Sequence, residues 1–347
     1  MSVCPVEYFR SAGQRFCDSY QASTGEQRKA WLRMTASMQS APEIRSRQGW
    51  SRHTWRHFRN GIIFASPWII GLLLFWIFPI LASLYYSFTE FNAIQTPRWV
   101  GMDNFIAMVK DTIFWTAAYN TLWFAVVSIP LAIVWAFGLA LVLNRRIHGR
   151  IVYRTIYFLP TLVPSVALAL VWIYLFNPAT GLINVPFDWL GIRGPCWNAC
   201  AAWSRPTMVL LAMWIIGGQV VLYLAGLQDV PQELYDAAAV DGANVFQQFR
   251  SVTLPMMTPV IFYHLVTSVI GAFQFFEIPY IMTGGTGAPD NTLMFYSIYL
   301  FKNAFAYFKM GYASALAWVM FIVILAITLV IFRSARHWVY YGGADFT

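Results

Sequence analysis

Six runs of predominantly apolar residues, near 61–86, 118–143, 155–176, 207–227, 257–282 and 312–332, constrain this chain more than any other feature. Each is about 20 residues or longer, and a helix of that length crosses the ~30 Å hydrocarbon layer of a bilayer. None alternates over about ten residues as a lipid-facing barrel strand does. Charged residues make up 11% of the chain and hydrophobic ones 59%, whereas a soluble domain carries about 25% charge. The expected fold is all-α and integral to the membrane, with six transmembrane helices within 60–340 and a polar, basic extension over 1–59.

Basic residues collect on the cytoplasmic side of membrane proteins. With the N-terminus inside, 17 of the 23 Lys and Arg lie there: ten before span 1, then Arg145, Arg146, Arg150, Arg154, Arg250, Arg333 and Arg336. Arg98, Lys110, Arg193, Arg205, Lys302 and Lys309 fall outside. Both termini are therefore expected in the cytoplasm. The net charge of +8 then reflects topology and anionic lipid, not nucleic acid. The extension reads as a lipid-bound tail or an over-long start with Met34 or Met38 as the true one, in preference to a regulatory domain. No signal peptide is visible, because the first apolar run is of full membrane length. Cys4 and Cys17 fall in a reducing compartment. Cys196 and Cys200 share an external loop and could pair, although their spacing does not establish the geometry, and no His nearby suggests a metal site. Trp99, Trp115, Trp189, Trp197 and Trp203 fit an interfacial aromatic belt.

The polar stretch Pro231–Pro255 separates spans 4 and 5 and must lie outside the bilayer, on the cytoplasmic side. It reads as two short amphipathic helices joined at Gly242. Asp229 suits an N-cap and Pro231 an early helical position. Leu234, Ala237, Ala238 and Asp241 follow at helical spacing, and Ala237–Ala239 make a thin face open to close approach. Val245, Phe246, Phe249 and Val252 form one apolar side of the second helix, which Pro255 is expected to end. Such a face needs a partner groove. DNA is not that partner, since Asp229, Glu233, Asp236 and Asp241 against Arg250 leave a net −3. A plain linker has no need of this spacing.

Asp236-Ala-Ala, three residues, Gly242, nine residues, then Val252-x-Leu254-Pro255 resembles the cytoplasmic "EAA" loop of permeases in binding-protein-dependent ABC importers. Asp236 stands where the family has Glu, and Val252 where it has Ile. Ser66-Pro67, Gly101 to Phe105, Asn120-Thr121, Phe158-Leu-Pro160, Trp172 through Asn184, Ala225 to Gln228 and Thr283-Gly-Gly285 look like its sugar branch, and more narrowly like the F-type permease of maltose transporters. The loop after Thr283 departs from the family by inserting Thr286-Gly-Ala before Pro289.

The resemblance implies a type I ABC importer permease fold in a prokaryotic plasma (inner) membrane. It makes Asp236, Ala237, Ala238, Gly242, Leu254 and Pro255 the coupling helix that sits in a cleft of the ATPase. The implied partners are a second, G-type permease as heterodimer, an ABC ATPase dimer and an extracellular solute-binding protein. No P-loop occurs in the sequence; the segment Thr283 to Thr292 is a flexible Gly-rich turn without the Gly-Lys-Ser/Thr that a phosphate cradle needs. ATP and Mg therefore belong to the partner ATPase, and the chain is expected to be a transport subunit without enzymatic activity or cofactor of its own.

Polar groups inside spans usually face a bundle interior or a cavity. Candidates for the substrate path are Thr161, Ser165, Trp214, Gly218, Gln219, Gly271, Gln274 and Glu277. The likeness to the maltose permease supplies Thr161, Ser165, Trp214, Gly218, Gly271 and Gln274 among them. Hydroxyl and amide groups suit sugar hydroxyls, and Trp214 suits the apolar face of a sugar. Against this, membrane Thr and Ser often bond only their own backbone, and Glu277 can be merely interfacial. His264 reads as an interhelix hydrogen-bond or packing residue in preference to a proton relay. Pro160 and Pro164 break span 3 and Gly217-Gly218 span 4, freeing backbone groups.

Import of a sugar delivered by a binding protein is the leading expectation. The same machinery for a polyol, glycerol phosphate or polyamine is the alternative, although a phosphorylated solute favours a cation in the span cores and none is there. An intramembrane enzyme needs a catalytic cluster, and only Glu277 and His264, 13 residues apart, are at hand. An ion-driven secondary transporter would show an inverted repeat or an internal carboxylate pair, and neither is visible.

Overall fold

A computed structural model describes residues 52–145 and 148–340. What the sequence suggests for 1–51, Cys4 and Cys17 included, and for Arg146 lies outside the described residues. The chain divides into two compact units, one ending at Leu73 and one beginning at Leu74. The described part of the first is helix α1 (Arg52–Leu72), whose Phe64 and Trp68 are exposed.

The second unit begins with α2 (Phe78–Ser87), and the short strands β1 (Thr89–Glu90) and β2 (Arg98–Trp99) pair antiparallel after it, Thr89 opposite Trp99. Helices α3 (Asp103–Lys110) and α4 (Thr112–Asn144) follow, then α5 (Arg150–Phe158), α6 (Ser165–Leu175) and α7 (Val185–Trp189). Next come α8 (Ala201–Trp214), α9 (Gly217–Asp229), α10 (Gln232–Val240) and α11 (Val245–Gln248). The last are α12 (Leu254–Phe273), α13 (Glu277–Thr283), α14 (Tyr296–Phe301) and α15 (Met310–Trp338).

Four helical stretches among the described residues are long and apolar enough to cross a membrane: Phe58–Ser87, Thr112–Asn144, Val245–Thr283 and Met310–Trp338. Two further spans are bent pairs. Arg150–Leu162 meets Ser165–Leu175 at 100°, and Ala201–Trp214 meets Gly217–Asp229 at 48°. The prolines dictate the first bend. Pro160 lacks an N–H and opens a 3-10 turn over Leu159–Leu162, and Val163, placed before Pro164, is held extended (ψ 128°). The second bend falls at Ile215–Ile216, one residue earlier than the glycines. Gly217 is needed for another reason: a Cβ there would lie 2.2 Å from the Tyr157 carbonyl oxygen, so only glycine lets α9 approach the end of α5.

Helix α4 is the axis of the unit. Asp111 caps it, its Oδ1 accepting from the Ile113 amide at 2.9 Å. Ala117, Phe124 and Ala125 pack in one core with residues of α8, α12, α14 and α15. Towards the other end, Ala136, Phe137 and Ala140 pack with Val220, Tyr223 and Leu224 of α9 and with Met257. The fully buried alanines let backbones approach closely, the packing that drives helix association in lipid.

Two loop expectations need correction. Trp197 belongs to a core, not to an aromatic belt: it is buried, packs on Phe176 and donates its indole N–H to Asn184 Oδ1 at 2.7 Å. Cys196 and Cys200 beside it form a disulfide with Cα atoms 5.7 Å apart. The Gly-rich segment after Thr283 is a pinned turn, not a flexible one. Gly284, Gly285 and Gly287 adopt positive φ, and Asn120 Nδ2 donates to the carbonyls of Asn291 (2.7 Å) and Met294 (3.0 Å). Thr121 Oγ1 accepts from the Tyr296 amide at 2.9 Å.

Candidate functional site

Two places gather the sequence candidates. The first is Pro231–Pro255. Helix α10 ends in a Schellman motif: Gly242 has φ +78°, its N–H bonds the Ala239 carbonyl at 3.0 Å, and the Ala243 N–H reaches Ala238 at 2.9 Å. Helix α11 starts with a capping box. Asn244 Oδ1 accepts from the Gln247 amide at 2.9 Å, and Gln247 Oε1 accepts from the Asn244 amide at 2.7 Å. The pattern Asn244-x-x-Gln247 is the sequence signature of this box.

Three expectations about this element are overturned. Asp229 closes α9 instead of capping α10, whose N-cap is Pro231, because the chain turns only at Val230. Pro255 does not end the second helix. A π turn over Phe249–Thr253 carries α11 into α12, with the Leu254 N–H reaching Phe249 O, and Pro255 occupies the first turn of α12, where a missing N–H costs little. The supposed single apolar face also splits. Phe249 packs inward on Phe137 at 6.0 Å, while Val245 and Phe246 are about 70% exposed, 71% and 70% respectively, and Val240 is 88% exposed. Asp236, Ala237, Gly242 and Leu254 are exposed too, Ala238 and Pro255 partly so. Gln232 Nε2 donates to Asp236 Oδ1 at 3.3 Å, and the Tyr235 hydroxyl meets Thr253 Oγ1 at 3.0 Å, tying α10 back to the π turn.

The second place is a chamber of about 310 Å³ between α4, α8–α9 and α12. Its polar lining is Ser128, Gln219, His264, Thr267 and Ser268, with Gly271 at one edge. Gln219 Oε1 is enclosed without a hydrogen-bond partner among the described residues. Ser128 and Ser268 make no side-chain hydrogen bond to the described residues, unlike Thr121 and Thr207, whose hydroxyls bond Ala117 O and Trp203 O in their own helices. His264 is buried, and one ring nitrogen, Nδ1, meets the Tyr223 hydroxyl at 2.7 Å; Nε2 has no partner among the described residues. Unpaired polar groups in a membrane interior are costly, so a polar occupant stabilises such a chamber.

Of the eight path candidates, Gln219 and Gly271 line this chamber. Ser165 and Glu277 form a separate pair, the hydroxyl donating to the carboxylate between the first turns of α6 and α13. Thr161 donates to its own Phe158 O at 2.6 Å. Trp214 lies edge-on to Trp172 at 5.8 Å and is exposed, as are Gly218, which has open space beside it, and Gln274, the C-cap of α12. These four stand outside the chamber wall. Ser128, Thr267 and Ser268 were missed. A hydroxyl in an apolar run is the only signal they carry, and it equally marks Thr121 and Thr207.

Membrane-length helices, a broken span lining a chamber with polar groups in it, and a short exposed helix pair are the parts of a membrane permease component. The chain belongs to the family described as binding-protein-dependent transport system inner membrane component, matched over residues 128–339. It is 40% identical over 288 residues to the probable ABC transporter permease protein YesP of Bacillus subtilis (strain 168), covering 82% of this chain and 93% of that protein. It is 31% identical over 291 residues to the trehalose/maltose transport system permease protein MalF of Thermococcus litoralis (82% and 97% covered). With the arabinooligosaccharides transport system permease protein AraP of Bacillus subtilis (strain 168) it shares 32% over 303 residues (85% and 95%). Among solved structures, a chain of a bacterial alginate ABC transporter, crystallised with an alginate pentasaccharide-bound periplasmic protein, superposes with a TM-score of 0.72 at 24% identity, covering 82% of this chain and 98% of that one. That likeness establishes the fold.

Proposed function

We propose that the chain is one permease subunit of an ATP-driven sugar importer, paired with a second, G-type permease, with both termini cytoplasmic. ATP and Mg act on a partner ATPase dimer, whose cleft receives α10–α11. A solute-binding protein delivers the sugar from outside. The single observation that carries this reading is the helix pair itself: Val240, Val245 and Phe246 stand exposed on a short, well-capped element in a member of this permease family. An apolar face so placed is stabilised by a partner groove.

In this reading the chamber is the sugar's station between outward- and inward-facing states. The Ser128 and Ser268 hydroxyls, the Gln219 amide and His264 offer the donors and acceptors that sugar hydroxyls need, whereas the Thr267 hydroxyl bonds Tyr263 O and His264 O of its own helix. The 310 Å³ volume accommodates about ten waters at ~30 Å³ each, the size of a pyranose ring with its hydroxyls. No Lys or Arg lines it, which favours a neutral solute over glycerol phosphate. Closure of the ATPase moves α10–α11, and through the π turn this motion passes into α12, one wall of the chamber, as a rigid-body shift.

Affinity purification of the full chain from its native membrane tests the assembly. An ATPase subunit and a second permease are expected to copurify. ATP hydrolysis by the reconstituted complex, stimulated by binding protein across a panel of mono- and oligosaccharides, then identifies the sugar. Stimulation by no sugar, with stimulation by a phosphorylated or cationic solute instead, would overturn the assignment.

A further inference from the structure

At the end of the unit opposite α10–α11, a pocket of about 540 Å³ lies between the β1–β2 turn and the segment entering α15. Its floor is fixed. Asp111 Oδ2 accepts hydrogen bonds from the hydroxyls of Tyr299 and of Tyr312 (3.0 Å), and Asn104 Nδ2 donates to the carbonyls of Ser87 and Thr89, both at 2.9 Å. The Gly311 N–H bonds Phe91 O at 3.0 Å, and a Cβ on Gly311 would sit 1.9 Å from Thr89 O, so α15 is clamped against the turn.

The rim is different. The side chains of Glu90, Gln95 and Lys309 and the hydroxyl of Tyr307 make no hydrogen bond or ion pair with the described residues. Phe308 is the telling residue. It is a bulky side chain held at φ +52°, a left-handed conformation that costs about 1–2 kcal/mol outside glycine. Yet Phe308 is 52% exposed, so core packing does not explain the conformation. Flanking bonds hold it there: Tyr307 N–H to Lys302 O and Lys309 N–H to Asn303 O, both 2.8 Å. These bonds close the end of the helical segment Tyr296–Ala306, so the positive φ belongs to that helix end, and it leaves Phe308 exposed at the pocket rim. Tyr307, also exposed, has the Lys302 ammonium over its ring at 5.7 Å.

Exposed aromatic faces ringed by an unspent carboxylate, amide, phenol and ammonium match the chemistry of a saccharide, whose C–H face is apolar and whose edge is a row of hydroxyls. We propose that this pocket is a second, low-affinity sugar-binding site on the outer surface, with a pyranose ring packed on Phe308 and Tyr307 and its hydroxyls bonded to Glu90, Gln95 and Lys309. The proposal rests on the reading of the chain as a sugar-import permease with this end outside. Such a site would hold a sugar released by the binding protein close to the mouth of the path.

The test is saturation-transfer NMR of maltose with the complete transporter in lipid nanodiscs, without ATP or binding protein. Transfer to maltose is expected for the wild type and, reduced only by the chamber's share, for the chamber variant Gln219→Leu, in whose background the rim variants are then made. Phe308→Gly removes the ring and relieves the strain together, so it should weaken maltose binding about tenfold while the melting temperature holds or rises. Tyr307→Ala should weaken binding in the same direction. No transfer in the wild type, or undiminished binding in Phe308→Gly, would overturn the site. ATP-driven uptake in the same preparation reports on the importer reading separately: uptake without maltose transfer removes this site and leaves that reading standing.

Discussion

Ser165 donates its hydroxyl hydrogen to the carboxylate of Glu277 across 112 positions of sequence, joining the first turn of α6 to the first turn of α13. The bond closes the bend of the broken third span against the end of the fifth. Glu277 is exposed and Ser165 half-buried, so water competes for the bond, and it contributes about 1 kcal/mol. Ser165→Ala and Glu277→Gln should each slow uptake several-fold while binding-protein-stimulated ATP hydrolysis and subunit assembly persist. Uptake rates equal to wild type in both variants would show that this contact plays no part in transport.

Gly242 is required for its backbone alone. A Cβ there meets nothing within 4 Å, but φ is +78°. Gly242→Asn should be tolerated, since Asn enters the left-handed region readily, whereas Gly242→Val should destabilise the turn by about 1–2 kcal/mol. The expected readout is fewer sugars imported per ATP hydrolysed in the Val variant, with a normal ratio in the Asn variant.

Tyr223 and His264 form a buried interhelix bond of 2.7 Å between α9 and α12. Tyr223→Phe leaves the His264 ring nitrogen without its partner and should cost about 2 kcal/mol. The double variant Tyr223→Phe, His264→Leu should recover part of that loss, because no unpaired polar atom remains. Thermal unfolding of wild type, Tyr223→Phe, His264→Leu and the double variant measures the coupling.

Asp111 gives the fold an acid-sensitive point. Burial pushes its pKa up, but hydrogen bonds from Tyr299, the Ile113 amide, Tyr312 and the Phe114 amide outweigh this and hold it below the ordinary 3.8. A depressed carboxyl stabilises the fold fully above its unfolded pKa, and that stability is lost as pH falls through the folded value. The melting temperature of wild type should therefore fall faster below about pH 4 than that of Asp111→Asn. At neutral pH the variant should be the less stable of the two, and parallel acid profiles would contradict the assignment.

The long, unbroken spans were the legible part of this fold, because an apolar run of membrane length admits little but a helix. The family spacing from Asp236 to Pro255 likewise stood in the sequence. The angle of the third span did not: Pro160 and Pro164 announce a break but not its 100°, and the approach of Gly217 to the Tyr157 carbonyl that holds the end of α5 is a contact distant in sequence. Pro255 misled, because proline stops a helix in its interior yet suits a first turn, and only the π turn before it decides between the two. The chamber was half legible. Gln219 stands out as an amide in an apolar run, but whether Ser128 or Ser268 serves its own helix or a cavity depends on which way the helix faces.

The central claim is that this chain passes a sugar across the membrane and draws its energy from a partner ATPase through α10–α11. The most direct measurement is simultaneous sugar uptake and ATP hydrolysis in proteoliposomes holding the full complex and its binding protein, with Gly242→Pro alongside wild type. Wild type should import sugar only when ATP and the ATPase subunit are present, and the variant should hydrolyse ATP while importing little. Sugar uptake that continues without the ATPase subunit would contradict the account.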